Sequence, residues 1–226
     1  PKGMPLWLFI YVSIRLMFTL FLLGNIASGK SYAARYLERA GGLRIDLDQM
    51  AKDLYQPGSA VVAKLADCFG WDILDEAGGI VTARLASRAF ADPEQTAKLN
   101  DIVHPVLVER LVDHLLPYGC CVATQPNAPF AVVEVSAPAS FVDAFSLADE
   151  VATVWAPFDV RRERAVARGM EPEDFERRAA LQPSDEQLKA WSSIVFDNEV
   201  ADGRLEAALD EWLVSHGFDR TGEARD

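Results

Sequence analysis

The pattern of apolar positions predicts five buried strands along the chain. Short apolar runs that do not alternate with polar residues are typical of strands covered on both faces by helices. The first run ends at Gly24 and the second closes on Asp46. The five runs occupy residues 18–23, 43–45, 130–135, 150–155 and 194–196.

Apolar residues at helical spacing fill the interval between the first two predicted strands. They recur from Tyr32 to Ala40, and Gly41-Gly42 ends the predicted helix. A strand, a glycine-containing turn, a helix and a second strand form a βαβ unit, which has parallel strands and a right-handed crossover. We therefore predict an α/β fold with a parallel five-stranded sheet flanked by helices.

Two helical excursions interrupt this sheet. The first, at about 47–117, reads as helices over 48–68, 82–90 and 93–116, with a break at Pro57-Gly58 and a joint at His104-Pro105. The second, at about 159–190, is rich in arginine and is broken near 169–172. A loop is predicted over 119–129, and an amphipathic helix over 203–216 closes the chain.

The charge and cysteine content of the sequence limit which kinds of molecule the protein is expected to bind. The 226 residues include 34 acidic and 22 basic ones, for a net charge of −12. A long polyanion would be repelled, which argues against nucleic acid, whereas a small anion needs only a few donors. Cys68, Cys120 and Cys121 form no metal-ligand or Cys-x-x-Cys pattern, which predicts reduced thiols and a cytoplasmic location.

The segment after the first strand has the spacing Gly-x4-Gly-Lys-Ser, which is typical of a phosphate-binding loop in P-loop proteins. Its glycines let successive amides turn toward phosphate oxygens, and the helix that begins there adds its N-terminal dipole. Lys30 would reach the β- and γ-phosphates and Ser31 would ligate magnesium, so ATP and Mg²⁺ are the predicted cofactors. The loop comprises Gly24, Asn25, Ile26, Ala27, Ser28, Gly29, Lys30 and Ser31.

Asp46 is the predicted catalytic base. It follows the second strand at the edge of the sheet where parallel α/β folds bind ligands, and a carboxylate there could accept the proton of an attacking hydroxyl. The alternative makes Asp46 the N-cap of the next helix, and the two roles are compatible. The sequence contains no Asn-Lys-x-Asp run for guanine and no ABC signature, which leaves a kinase as the favoured class.

Arginines of the second excursion are the other candidate group. Arg164 and Arg168 lie four residues apart on one predicted helix face, where a helical lid closing over phosphates would need cations. Interleaved acidic residues favour a solvated, ion-paired face for most of the others. Arg168 is the predicted catalytic arginine, and Arg164 is predicted to bind the nucleotide.

From Met17 onward the chain resembles the dephospho-CoA kinase family. The phosphate loop, Ile45-Asp46-Leu47-Asp48, Leu99 to Pro105, the arginines and Phe196-Asp197-Asn198 follow that family's order. The resemblance implies transfer of the γ-phosphoryl of MgATP to the 3′-hydroxyl of dephospho-CoA, the last step of coenzyme A synthesis. It also implies acceptor binding near Asp46 and His104, and an adenine site near Asn198.

Two departures from the family pattern fall on the acceptor side. Val142 stands where the family has an acid, and Thr82 stands where it has an arginine, with Arg84 two residues on. Two alternatives therefore stay open. One is a P-loop kinase for another small acceptor such as a nucleoside or nucleotide, and the other is a non-catalytic nucleotide-binding regulator.

The residues before the first strand are unusually apolar. The run from Pro5 to Leu23 approaches the length of a membrane span. Because a buried strand must precede the phosphate loop, residues from about Met17 belong to the sheet, and the remainder is too short to span and contains Arg15. We predict that 1–16 is an apolar extension outside the fold, upstream of a natural start at Met17, with membrane contact as the alternative. Residues 17–226 are predicted to form the kinase domain, and its oligomeric state stays open.

Overall fold

The computed structural model describes residues 17–115 and 128–218. The predictions made for the extension 1–16, for Cys120 and Cys121, and for most of the 119–129 loop lie outside these ranges. Five strands are present: β1 (Phe18–Leu23), β2 (Leu43–Asp46), β3 (Phe130–Glu134), β4 (Glu150–Trp155) and β5 (Ile194–Asp197). Each of the five predicted strands is therefore confirmed, with ends within one residue of the prediction.

The strands form one sheet in the order β2-β3-β1-β4-β5. The pairings of β1 with β3, of β1 with β4 and of β4 with β5 are parallel. The order places β1 in the centre, so the phosphate loop that follows it lies at the middle of the carboxyl edge. This confirms the predicted parallel α/β sheet and puts the loop where such folds bind ligands.

The helices that surround and interrupt the sheet begin with α1 directly after the phosphate loop. The α-helices of the described residues are α1 (Lys30–Arg39), α2 (Leu47–Asp53), α3 (Ala60–Phe69), α4 (Thr82–Ala89), α5 (Pro93–Leu115), α6 (Phe158–Ala167), α7 (Pro172–Ala179), α8 (Asp185–Trp191) and α9 (Arg204–Ser215). None of the helices within 17–115 and 128–218 combines the length and apolarity needed to cross a bilayer.

Both faces of β1 are buried, which explains why its sequence does not alternate. Leu20 and Leu22 belong to a core cluster with Leu37 of α1 and Trp212 of α9. Successive side chains of a strand point to opposite faces, and Phe21 packs on the rings of Phe141 and Phe145. The central strand thus holds the loop at its carboxyl end on a rigid base.

The described residues divide into two compact units, one formed by 17–45, 114–115 and 128–218 and the other by 46–113. The second unit is helical and has its own buried residues, among them Leu65, Ile73 and Leu85. Within it, the Arg88 guanidinium donates to the Asp72 carboxylate at 2.7 Å and also to the Phe69 carbonyl oxygen. These bonds tie α4 to the end of α3.

Two features of the helices concern Pro105 and the lid. The helix predicted over 93–116 is present as α5, which runs from 93 to 115 with Pro105 inside it. A proline in a helix interior costs about 3 kcal/mol, and here Val103, Leu107 and Leu111 on both sides of it are buried. Helix α8 was not predicted within the arginine-rich excursion. It begins at a capping box in which the Ser184 and Gln187 side chains each accept a backbone N–H of the other residue.

Candidate active site

The phosphate loop joins β1 to α1 in a tight turn. Gly29 is the N-cap of α1 and has φ of +103°, in the region that favours glycine. A Cβ on Gly29 would lie 2.1 Å from the Nδ2 atom of Asn198, so the position also lacks space for a side chain. Ala27 adopts φ of +60° without the freedom of a glycine. The predicted loop geometry is therefore present, with backbone strain at one residue.

A cleft of about 420 Å³ opens over this loop and is lined by all eight of its residues. Four cationic side chains line it, those of Lys30, Arg35, Arg168 and Arg178, and the described residues that line it include no acidic one. On a chain with a net charge of −12, this is a concentrated basic site. The remaining lining residues are Tyr32, Ser136 and Gln182. Such a cleft suits a small polyanion, as the composition allowed.

Lys30 and Ser31, the first two residues of α1, are held by groups at the end of β3. The Lys30 Nζ atom donates to the Ser136 hydroxyl at 2.6 Å, and the Lys30 side chain is largely buried. The Ser31 hydroxyl donates to the Oε2 atom of Glu134 at 2.7 Å. Because β3 lies beside β1, its carboxyl end presents these partners directly to the loop.

Glu134 is a site residue that the sequence analysis missed. It is 2% exposed, and its other oxygen, Oε1, accepts from Arg44 Nε at 2.6 Å. The available signal was the run Phe130 to Val133, four apolar residues followed directly by an acid. In P-loop proteins an acid at the end of a strand next to the phosphate loop helps to hold magnesium together with the loop serine.

The residues present fit MgATP. The Ser28 Oγ atom is buried without a hydrogen-bond partner among the described atoms, which leaves a donor in the loop for a ligand oxygen. The described residues contain no cluster of three or more His, Cys, Asp or Glu that could hold a metal. Magnesium in nucleotide sites is held by one or two protein oxygens together with phosphates and water. The Ser31 hydroxyl, which is hydrogen-bonded to Glu134, can supply such a protein oxygen.

The lid segment 159–190 contacts the first residues of the loop. The backbone N–H of Ile26 donates to Gln182 Oε1 at 2.8 Å, and the Asn25 side-chain amide donates to the Pro183 carbonyl oxygen at 3.0 Å. The same amide is 3.3 Å from Asp185 Oδ1. Gln182 is thus a second residue that the sequence-based assignment of the site left out. Its role depends on a contact between segments more than 150 residues apart.

Asp185 links the lid to the end of β4. Its Oδ2 atom accepts from the Trp155 indole N–H at 2.6 Å, and its Oδ1 atom lies 3.8 Å from Arg161 Nη2. Arg161 is 5% exposed, and this burial lowers the pKa of its guanidinium, which the nearby Asp185 carboxylate partly opposes. Arg161 also donates to the Ala156 carbonyl oxygen at 3.1 Å. These contacts make Arg161 a buried structural arginine.

The structure gives different positions to the predicted nucleotide-binding residues of the lid and of the segment after β5. Arg168, the C-cap residue of α6, lines the cleft. Arg164 lies one turn earlier and contacts the Glu199 carbonyl oxygen at 3.4 Å. Asn198 follows β5 and donates to the Ser28 carbonyl oxygen at 2.7 Å. Of the predicted ATP-site residues, Arg168 and the loop line the cleft together, whereas Arg164 and Asn198 are not among its lining residues. Asn198 contacts the loop through the Ser28 carbonyl oxygen.

The predicted acceptor-side residues belong to the 46–113 unit. Asp46 is the N-cap of α2, and its Oδ1 atom accepts from the N–H groups of Asp48 and Gln49 at 3.0 and 3.2 Å. The capping role considered for it is therefore present, and the catalytic role stays a prediction. His104 is half-buried within α5.

The two departures from the family pattern are both exposed. Thr82 is the first residue of α4, and the nearby Arg84 donates to the Asp72 carbonyl oxygen at 2.8 Å. Val142 begins a 3₁₀ helix that runs to Leu147 in the larger unit. In this structure Arg84 therefore stabilises the turn before α4.

Comparisons with known proteins agree with this architecture. A family model described as dephospho-CoA kinase matches residues 18–202. A dephospho-CoA kinase from Corynebacterium diphtheriae is 36% identical over 179 residues, covering 78% of this chain and 86% of that protein. One from Corynebacterium glutamicum is 38% identical over 187 residues, covering 80% and 88%. The crystal structure of TT1252 from Thermus thermophilus superposes with a TM-score of 0.72 at 25% identity, covering 89% and 98%.

Proposed function

The chain belongs to the dephospho-CoA kinase family, and on that premise we propose that it transfers the γ-phosphoryl group of MgATP to the ribose 3′-hydroxyl of dephospho-CoA, giving CoA and ADP. The observation that carries the proposal is the basic cleft over the phosphate loop, in which a buried acid holds the loop serine. Phosphoryl transfer depends mainly on positioning and on charge stabilisation, and this cleft provides groups for both.

On the nucleotide side, the loop amides and the first turn of α1 hold the phosphates of ATP. When ATP binds, the Lys30 ammonium exchanges its hydrogen bond to the Ser136 hydroxyl for the β- and γ-phosphate oxygens. Ser31, oriented by Glu134, would hold a magnesium ion, which would supply positive charge beside the phosphates. Arg168, which lines the same cleft, stabilises the negative charge on the transferred group.

On the acceptor side, Asp46 acts as the general base. It accepts the proton that the 3′-hydroxyl loses as that oxygen bonds to the γ-phosphorus and the bond from phosphorus to the β,γ-bridging oxygen breaks. The N–H groups of Asp48 and Gln49 donate to its Oδ1 atom and fix the position of the carboxylate. His104 binds dephospho-CoA from α5.

Two alternative functions, a kinase for another small acceptor and a non-catalytic nucleotide-binding regulator, are motivated by the departures from the family pattern at Val142 and Thr82. Val142 and Thr82 replace an acid and an arginine of the family pattern, and Arg84 is bonded within its own helical unit. A kinase for another small acceptor would keep the cleft and change these positions. A nucleotide-binding regulator would keep the cleft and lose turnover.

One assay separates these functions. ADP release from MgATP is measured with dephospho-CoA and with a panel of nucleosides and nucleoside monophosphates, in parallel with a Lys30→Met variant that controls for contaminating kinases. We expect turnover with dephospho-CoA that exceeds every other acceptor and is lost in the variant. Faster turnover of a nucleoside would establish the first rival, and ATP binding with no turnover of any acceptor would establish the second.

A further inference from the structure

Arg44 is a charged residue of β2 that contacts Glu134, the acid that accepts the hydrogen bond from the hydroxyl of Ser31. Strand β2 lies next to β3, and the Arg44 guanidinium reaches across to Glu134 at the end of β3. Its Nε and Nη2 atoms lie 2.6 and 2.5 Å from Glu134 Oε1. The arginine side chain is 22% exposed, whereas the glutamate side chain is 2% exposed. A carboxylate this deeply buried requires a cation or several donors beside it.

The two oxygens of Glu134 have different partners. Both arginine nitrogens converge on Oε1, and the Ser31 hydroxyl donates to Oε2. A serine that donates its proton to a carboxylate keeps its oxygen lone pairs available for a cation. The contacts therefore form a series in which Arg44 orients Glu134, and Glu134 orients the hydroxyl of Ser31.

We propose that Arg44 is a positioning residue for magnesium in this site, acting through Glu134 on Ser31. The inference rests on the proposed function, in which the cleft binds MgATP and Ser31 is a metal ligand. Groups that orient metal ligands typically change metal affinity by about 10–100-fold when they are removed. An arginine suits this position because it is always charged and its nitrogens have fixed relative directions.

A structural role for Arg44 predicts a different result from a metal-positioning role. If Arg44 only neutralised a buried charge, its loss would lower stability and would weaken ATP binding equally with and without Mg²⁺. If it positions Ser31, its loss weakens the binding of MgATP and leaves that of metal-free ATP almost unchanged. The difference between the two affinities therefore isolates the proposed role from a general loss of folding.

The test is isothermal titration calorimetry of ATP into the protein, once with Mg²⁺ and once with EDTA. For Arg44→Met we expect the Kd for MgATP to rise about tenfold, with less than about a twofold change in EDTA. Arg44→Lys should recover part of the loss, because it restores the charge without the fork of donors. Arg204→Met, which removes an exposed arginine paired with Asp202, serves as the control and should match the wild type.

A double variant, Arg44→Met with Glu134→Gln, removes both charges of the ion pair and covers the case in which Arg44→Met alone does not fold. We expect it to show the same selective loss of MgATP affinity. Equal losses with Mg²⁺ and with EDTA, or no loss in either, would overturn the role of Arg44. A wild-type protein that binds ATP no more tightly with Mg²⁺ than with EDTA would instead count against the proposed function.

Discussion

The side-chain amide of Asn198 donates a 2.7 Å hydrogen bond to the backbone carbonyl oxygen of Ser28, which joins the end of β5 to the phosphate loop. The same amide nitrogen lies where a side chain on Gly29 would have to be placed. Asn198 therefore supports the loop from the side of β5 while Gln182 contacts it through Ile26. The loop is held in its phosphate-binding shape by residues far from it in sequence.

Replacing Asn198 should weaken ATP binding by changing the shape of the loop. In Asn198→Ala the Ser28 carbonyl oxygen loses its donor, at a cost of about 0.5–1.5 kcal/mol, which corresponds to about 2–10-fold in Kd. Calorimetric titration with MgATP measures this change in Kd. Asn198→Asp keeps the size of the side chain but removes the donor, so it should lose at least as much affinity. Unchanged affinity in both variants would contradict this role.

Ala27 provides a test of strain in the loop. A residue other than glycine in the left-handed region destabilises the fold by about 1–2 kcal/mol. Introducing glycine lowers stability by about 0.4–1 kcal/mol, because it increases the conformational entropy of the unfolded chain. Because Ala27 has φ of +60°, Ala27→Gly should stabilise the fold. A gain of about 0.5–1 kcal/mol raises the Tm by about 1–4 °C in a chain of this size. A lower Tm in thermal unfolding would show that surrounding contacts already offset the strain.

Most of the fold could be predicted because its signals are local. Each strand is a contiguous apolar run, and the phosphate loop is a contiguous motif with the strand and helix it requires. Helix α8 was missed although its capping box, Ser184 with Gln187, is equally local. Helix α5 continues through Pro105 with buried apolar residues on both sides of it, and burial is not visible in a single sequence.

The site was predicted only in part, for a different reason. The loop and Arg168 stand out by residue type and spacing. Glu134, Arg44 and Gln182 take part through contacts between segments that are 90 to 156 residues apart, and such contacts follow from the order of the strands. The sequence predicted a parallel sheet without its order. Once β3 is known to lie between β1 and β2, the acid at its end must meet residues from both neighbours.

Arg168 should contribute to turnover, whereas its neighbour Arg162 should not. Arg168 lines the cleft, but Arg162 forms an exposed ion pair with Glu176. Removing a group that stabilises charge in the transition state costs about 10²–10³ in kcat, and an exposed ion pair contributes about 0–1 kcal/mol to stability. Arg168→Met should therefore lower kcat by about a hundredfold, with Arg162→Met as the matched control. Equal effects of the two substitutions on steady-state kcat would exclude a specific role for Arg168.

The carboxylate of Asp46 allows capping and catalysis to be tested apart. An asparagine caps a helix about as well as an aspartate, so Asp46→Asn should keep the bonds to the N–H groups of Asp48 and Gln49. It cannot accept the proton of the acceptor hydroxyl. We expect kcat to fall by about 10²–10⁴-fold, while the affinity for MgATP and the Tm stay close to those of the wild type.

Asp46→Ala completes the comparison, because it removes both functions at once. It should lose kcat to the same extent as Asp46→Asn and in addition lose about 0.5–2 kcal/mol of stability with the cap. Thermal unfolding together with kcat for both variants separates the two roles. If Asp46→Asn keeps its turnover and only Asp46→Ala is impaired, then Asp46 serves α2 as a cap, and the base for the 3′-hydroxyl must be sought in another residue.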